Sequence, residues 1–69
     1  MYVKTKSYTL NQFGEPIAFV MIKIHILTFK YKAEITLVNG KKYELYNQWA
    51  LETEFDLEIE KFTRNKINQ

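Results

Sequence analysis

From Ile17 to Val38 the chain contains no Gly, Pro or Asn, yet its apolar residues alternate like those of a strand. Val20, Ile22, Ile24 and Ile26 share one parity, with Lys23 and His25 on the other. Then the parity changes, and Phe29, Tyr31, Ala33, Ile35 and Leu37 become the apolar set. A straight strand over this stretch would run about 70 Å at ~3.3 Å per residue. The chain has only 69 residues, and a compact domain of that size has a radius of gyration of about 11 Å. The backbone must therefore bend sharply or turn back near Leu27–Thr28. An added residue there, a β-bulge, would correct the phase. Without a turn-forming residue, a bent, barrel-like strand is favoured over a tight turn. A third reading has the long strand reaching into a second copy of the chain.

The flanks read more simply. Residues 2–10, YVKTKSYTL, are rich in Tyr, Thr and Val and suit a strand. NQFGEP (11–16) then reads as a turn, because Asn11, Gly14 and Pro16 offer left-handed or fixed backbone geometry. Asn39-Gly40 marks a second hairpin. A two-residue loop there would set Ile35 against Glu44 and Thr36 against Tyr43. A three-residue loop, Val38-Asn39-Gly40 with Gly40 left-handed, sets Leu37 against Lys41, Ile35 against Tyr43 and Ala33 against Leu45. Only the second keeps one apolar face, since a one-residue slip flips every side chain. EITLVNGKKYELY resembles the first hairpin of Sm-like proteins over a dozen residues. No glycine follows where that family bends its strand, and nothing of the family is carried over.

LETEFDLEIE (51–60) admits two readings. As a strand it alternates without a break and lines up an acidic face. As a helix, Leu51, Phe55, Ile59 and Phe62 fall at i, i+4, i+8 and i+11, within an arc of about 80° at ~100° per residue. Trp49, Leu57 and Ile67 lie off that stripe. Glu favours helices and is depleted in strands. Thr53 with Asp56 resembles a capping box, Asn47 is another candidate cap, and Lys61, Arg64 and Lys66 suit the helix C-terminus. The helix reading is favoured, over about 48–66, with Asp56 as the place where it could break. The expected fold is α+β: a small antiparallel sheet of about four strands (about 2–10, 17–27, 29–37 and 41–46), bent or barrel-like, with a C-terminal helix in a single domain.

Composition narrows the chemistry. There is no Cys, one His (His25), one Ser (Ser7) and one Asp (Asp56). No thiolate site or disulfide can form, and a nucleophilic triad would have to draw on three unrelated segments. The two glycines, Gly14 and Gly40, are too far apart for a phosphate-cradling loop. The expectation is a non-enzyme with no metal and no cofactor. Aromatic residues make up 16% of the chain, which gives a cysteine-free domain large groups to bury. MYVKTKSYTL lacks an export signal, and IAFVMIKIHIL is too short and too charged to span a bilayer. A cytoplasmic protein without a membrane partner is the resulting expectation.

Charge is uneven. Residues 1–46 carry seven lysines against three glutamates, residues 47–60 carry five acids and no base, and residues 61–69 carry three bases. Two surfaces follow. One is acidic, Glu52, Glu54, Asp56, Glu58 and Glu60, with Trp49 beside it. It could be a solvated helix face, or it could steer and dock a basic host protein. The other is basic and aromatic: Lys4, Lys6, Lys23, Lys30, Lys32, Lys41 and Lys42, with Tyr2 and Tyr8 as candidate stacking groups. Tyr31 and Tyr43 fall on the expected core face, and lysine also guards strand edges. The leading expectation is a small protein-binding module, an inhibitor or regulator of the kind phages and mobile elements encode. The alternatives are a nucleic-acid-binding β-domain and a structural homodimer.

Overall fold

The computed structural model of the chain describes residues 1–47 and 52–68, Glu52 by its backbone alone. Among the described residues four strands, β1 (Tyr2–Gln12), β2 (Glu15–His25), β3 (Tyr31–Leu37) and β4 (Lys42–Asn47), precede one helix, α1 (Glu52–Ile67). The strands form an antiparallel meander in the order β1-β2-β3-β4. The sheet is open and not closed into a barrel, with β1 and β4 at its edges. α1 covers one face. The radius of gyration is 11.9 Å, and the longest dimension, 37 Å, matches an 11-residue strand at ~3.3 Å per residue.

The stretch from Ile17 to Val38 turns back instead of bending. β2 ends at His25, residues 26–29 form a four-residue loop, and β3 starts at Tyr31. The His25 N–H donates to the Lys30 carbonyl (2.9 Å) and the Phe29 N–H donates to the His25 carbonyl (2.8 Å). Phe29 adopts φ 58°, the left-handed conformation that Gly or Asn would ordinarily supply. His25 supports the turn as Asn or Asp would, its Nδ1 accepting from the Leu27 (3.2 Å) and Thr28 (3.4 Å) amides. The parity change is thus a turn whose special residues are Phe and His. Ile26 and Phe29, read as strand residues from their spacing, lie in this loop and are exposed.

The hairpin at Asn39-Gly40 has the three-residue loop. The Leu37 N–H donates to the Lys41 carbonyl, and Ile35 faces Tyr43 while Ala33 faces Leu45. Gly40 is left-handed at φ 94°. The Asn39 Oδ1 accepts from the Lys41 N–H at 3.0 Å, an Asx turn within the loop. At the other end Phe13-Gly14 is a two-residue loop with φ 52° and 80°. Positive values at both central positions define the type I′ turn that matches strand twist.

Register divides the side chains between two faces. Toward α1 point Leu10-Ala18-Leu37, Tyr8-Val20-Ile35-Tyr43 and Lys6-Ile22-Ala33-Leu45. Ala18, Val20, Ile22, Ala33, Ile35 and Leu37 are buried there, against Phe55 and Ile59 of the helix. Phe62 completes the stripe edge-on to Tyr43, with ring centroids 5.7 Å apart. Residues 52–60 are therefore helical, and the helix continues through Asp56 without a break. Thr53 lies within the helix instead of capping it. Leu51, the first residue of the expected stripe, lies outside the described residues, as does Trp49.

Candidate binding surfaces

The acids of the helix do not form one row. Asp56 and Glu60 turn toward β1, whereas Glu58 reaches the opposite flank and accepts from Asn47 Nδ2 of β4 at 2.8 Å. Asp56 pairs with Lys6 (2.6 Å) and accepts from the Tyr8 hydroxyl (3.3 Å). Glu60 pairs with Arg64 one turn later (3.0 Å). Arg64 in turn donates to Gln12 Oε1 and to the Asn11 carbonyl, holding the turn end of the β1–β2 hairpin. Glu54 is exposed on the outer helix face. Glu52 contributes its backbone to the first turn. Much of the acidic charge is thus spent tying the helix to the sheet.

Burial, then the negative charge of Asp56 and the hydrogen bond to it, push the Tyr8 phenol well above the usual tyrosine range. Tyr8 and Lys6 belong to the helix side of the sheet, so neither joins a basic sheet face. Their role is to hold the flank of α1.

A groove runs between the β1 edge and α1, lined by Lys6, Tyr8, Leu10, Asp56, Leu57 and Glu60. Leu57 is 64% exposed at its rim. Along this groove Lys6–Leu10 keep regular register with Ala18–Ile22, and register shifts bracket the segment at Lys4/Lys6 and Leu10/Asn11. Thr5 sits at the first shift, its hydroxyl donating to the Ile22 carbonyl. Among the described residues β1 is an end strand of the sheet, with β2 on one side only. Sequence reading missed this groove, because strand order decides which strand becomes an edge.

The face away from α1 is open. Lys4, Lys23 and Lys32 form one rung across three strands, with Tyr46 as its fourth member. Glu34 interrupts the charge, 2.9 Å from Lys23 and 3.6 Å from Lys32. The hydrogen bond from Lys23, aided by both ammonium charges, holds the Glu34 carboxyl below its ordinary range. Lys32 also sits 4.5 Å from the centre of the Tyr2 ring, a cation–π contact. The Tyr46 hydroxyl donates to Glu44, which raises its phenol. Lys30 lies in the β2–β3 connection, and Lys41 and Lys42 lie at the far end of the sheet. The predicted basic surface therefore divides into a central rung and two outlying sites.

Ser7 lies on the open face opposite Met21, His25 caps a turn, and Asp56 is on the helix side. The fold does not bring the three together. No helix among the described residues is long and apolar enough to cross a membrane. No protein-family model matches the chain, and neither curated proteins nor solved structures give a significant match.

Proposed function

We propose that the chain is a non-enzymatic protein-binding module that takes an extended segment of a partner protein against the outer edge of β1. The observation that supports this reading is the regular outer edge of β1, to which no further strand is added among the described residues, beside a groove with an exposed leucine. Strand addition uses such an edge for main-chain hydrogen bonds and neighbouring pockets for alternate side chains. Here alternate side chains of the incoming strand would meet Tyr8, Leu10 and Leu57. Glu60 lines that groove and Glu54 stands on the outer helix face beside it. They favour a segment that carries positive charge beside its apolar residues. A module of this size acts by occupying its partner's surface, as small inhibitors and regulators do.

Selection of a random-peptide display library on the immobilised chain tests the reading. The expected enriched peptides alternate apolar residues and carry Lys or Arg. Bound, they slow amide hydrogen exchange at alternate positions of Lys6–Leu10, and Leu57→Asp abolishes binding. Enriched peptides that leave those amides unprotected, or that bind Leu57→Asp equally well, refute strand addition.

The Lys4-Lys23-Lys32 rung beside Tyr46 supports a second reading, the holding of single-stranded nucleic acid. Glu34 opposes it by pairing with two of the three lysines. Retention on single-stranded DNA that falls steeply with salt, and rises with Glu34→Gln, is its expected signature. No retention at low salt removes it.

A further inference from the structure

The β2–β3 turn spends large apolar side chains on solvent. Leu27 is 78% exposed and Phe29 72%, with Ile26 and Val3 exposed beside them. The Ile26 N–H donates to the Met1 carbonyl, and Val3 pairs with Ile24, so all four residues belong to one end of the sheet. Phe29 is also held at φ 58°. A non-glycine residue there is strained, and an exposed ring recovers little by packing. The turn thus combines backbone strain with exposed apolar surface, and neither is needed for a hairpin.

In the segments that form the tip the charge has one sign. Lys30 follows Phe29 directly, and Lys4 stands two register positions in from the tip. Neither Met1–Lys4 nor His25–Lys32 contains a carboxylate. In the rung behind the tip Lys23 and Lys32 are paired with Glu34, so Lys4 and Lys30 are the cations that serve the tip. An apolar tip collared by cations fits an interface whose interior is hydrocarbon and whose surface is negative. We propose that the Ile26–Phe29 turn is a peripheral docking tip for an anionic lipid bilayer. Leu27 and Phe29 enter the acyl boundary, and Lys4 and Lys30 meet the headgroup phosphates and carboxylates. This site is separate from the β1–α1 groove, so a docked chain would keep that groove free for a partner.

Co-sedimentation of the full chain with phosphatidylcholine vesicles, with and without phosphatidylserine, is the test. The chain is expected to sediment with the anionic vesicles and to stay in solution with pure phosphatidylcholine. Leu27→Asn with Phe29→Asn should abolish sedimentation. Asn accepts the left-handed conformation, so this variant should keep or raise its urea midpoint. Lys30→Gln should weaken anionic-vesicle binding about fivefold, and Lys41→Gln, at the far end, should leave it unchanged. Three results overturn the proposal: no sedimentation with either vesicle, undiminished binding by the Asn variant, or equal loss in Lys30→Gln and Lys41→Gln. The last would mark diffuse attraction by net charge.

Discussion

Lys6 Nζ lies 2.6 Å from Asp56 Oδ2, and the Tyr8 hydroxyl donates to the other oxygen of the same carboxylate. Two residues of an edge strand are thereby tied to the second turn of a helix about fifty positions away in the chain. Both ion-pair partners keep roughly a third of their side-chain surface in water, at 39% and 31%. Solvent therefore screens the pair, and a double-mutant cycle on Lys6→Met and Asp56→Asn should give a coupling of about 0.5–1 kcal/mol. Raising salt should shrink it. A coupling indistinguishable from zero at low salt would show that the pair does not hold the helix flank.

Tyr8 sets the alkaline limit. Its phenol is raised in the folded chain, first by burial and then by Asp56. The associated stability is fully present below the ordinary tyrosine range, about pH 10. It is lost as pH climbs from there toward the folded value, because the unfolded chain releases its proton first. A spectrophotometric titration of the five tyrosines should show one phenol ionising only as the chain unfolds. In Tyr8→Phe that late component should vanish and the urea midpoint should fall less between pH 9 and pH 11.

Glu34 works in the opposite direction. Its carboxyl is lowered, first by the hydrogen bond from Lys23. The contribution is present above the ordinary carboxylate range and lost as pH falls through the folded value. The group is largely solvated, so the effect should stay under about 1 kcal/mol. Stability measured from pH 6 down to pH 2 should fall less in Glu34→Gln than in the parent.

What the sequence made legible follows from where the controlling residues lie. Asn39-Gly40 carries its turn chemistry in its own two side chains, and the choice between registers needed only the rule that one face stays apolar. The helix was readable because Phe55, Ile59 and Phe62 repeat along its own axis. The β2–β3 turn was obscured because Phe29 takes a conformation its side chain disfavours and His25 supplies the cap. Both are exceptions to local propensity. The acidic surface was half legible: helical spacing sets Asp56 and Glu60 apart from Glu54 and Glu58. That Asp56 faces Lys6 and Tyr8 while Glu58 faces Asn47 depends on where the sheet lies under the helix. The β1 groove depends on strand order, which no local pattern records.

The two strained phenylalanines should be replaceable with profit to stability. Phe13 is 96% exposed at φ 52°, and Phe29 is mostly exposed at φ 58°. Left-handed backbone costs an ordinary residue roughly 1–2 kcal/mol, and Asn or Gly much less. Phe13→Asn would create the Asn-Gly pair that type I′ hairpins prefer. Each substitution should raise the unfolding free energy by about 0.5–1 kcal/mol in urea titrations, and the two should add because the turns lie at opposite ends of the sheet. A drop in stability for either would mean that the ring makes contacts its exposure conceals.

Phe55 and Leu57 stand two residues apart on α1 and should respond in opposite ways. Phe55 is fully buried against the sheet, its ring tilted against that of Tyr31 with centroids 6.1 Å apart. Its truncation to Ala should cost about 3–5 kcal/mol through lost burial and the cavity left behind. A chain of this length has only some 3–10 kcal/mol in all. Phe55→Ala should therefore unfold in low urea or be partly unfolded in buffer, with weakened helix and sheet signals in circular dichroism. Leu57 points outward, and Leu57→Ala should change stability by less than about 0.5 kcal/mol. If the β1–α1 groove receives a partner strand, that silent substitution should still weaken peptide binding by about 1–2 kcal/mol. Calorimetric titration with an enriched peptide would measure it, and unchanged affinity would place the interface elsewhere.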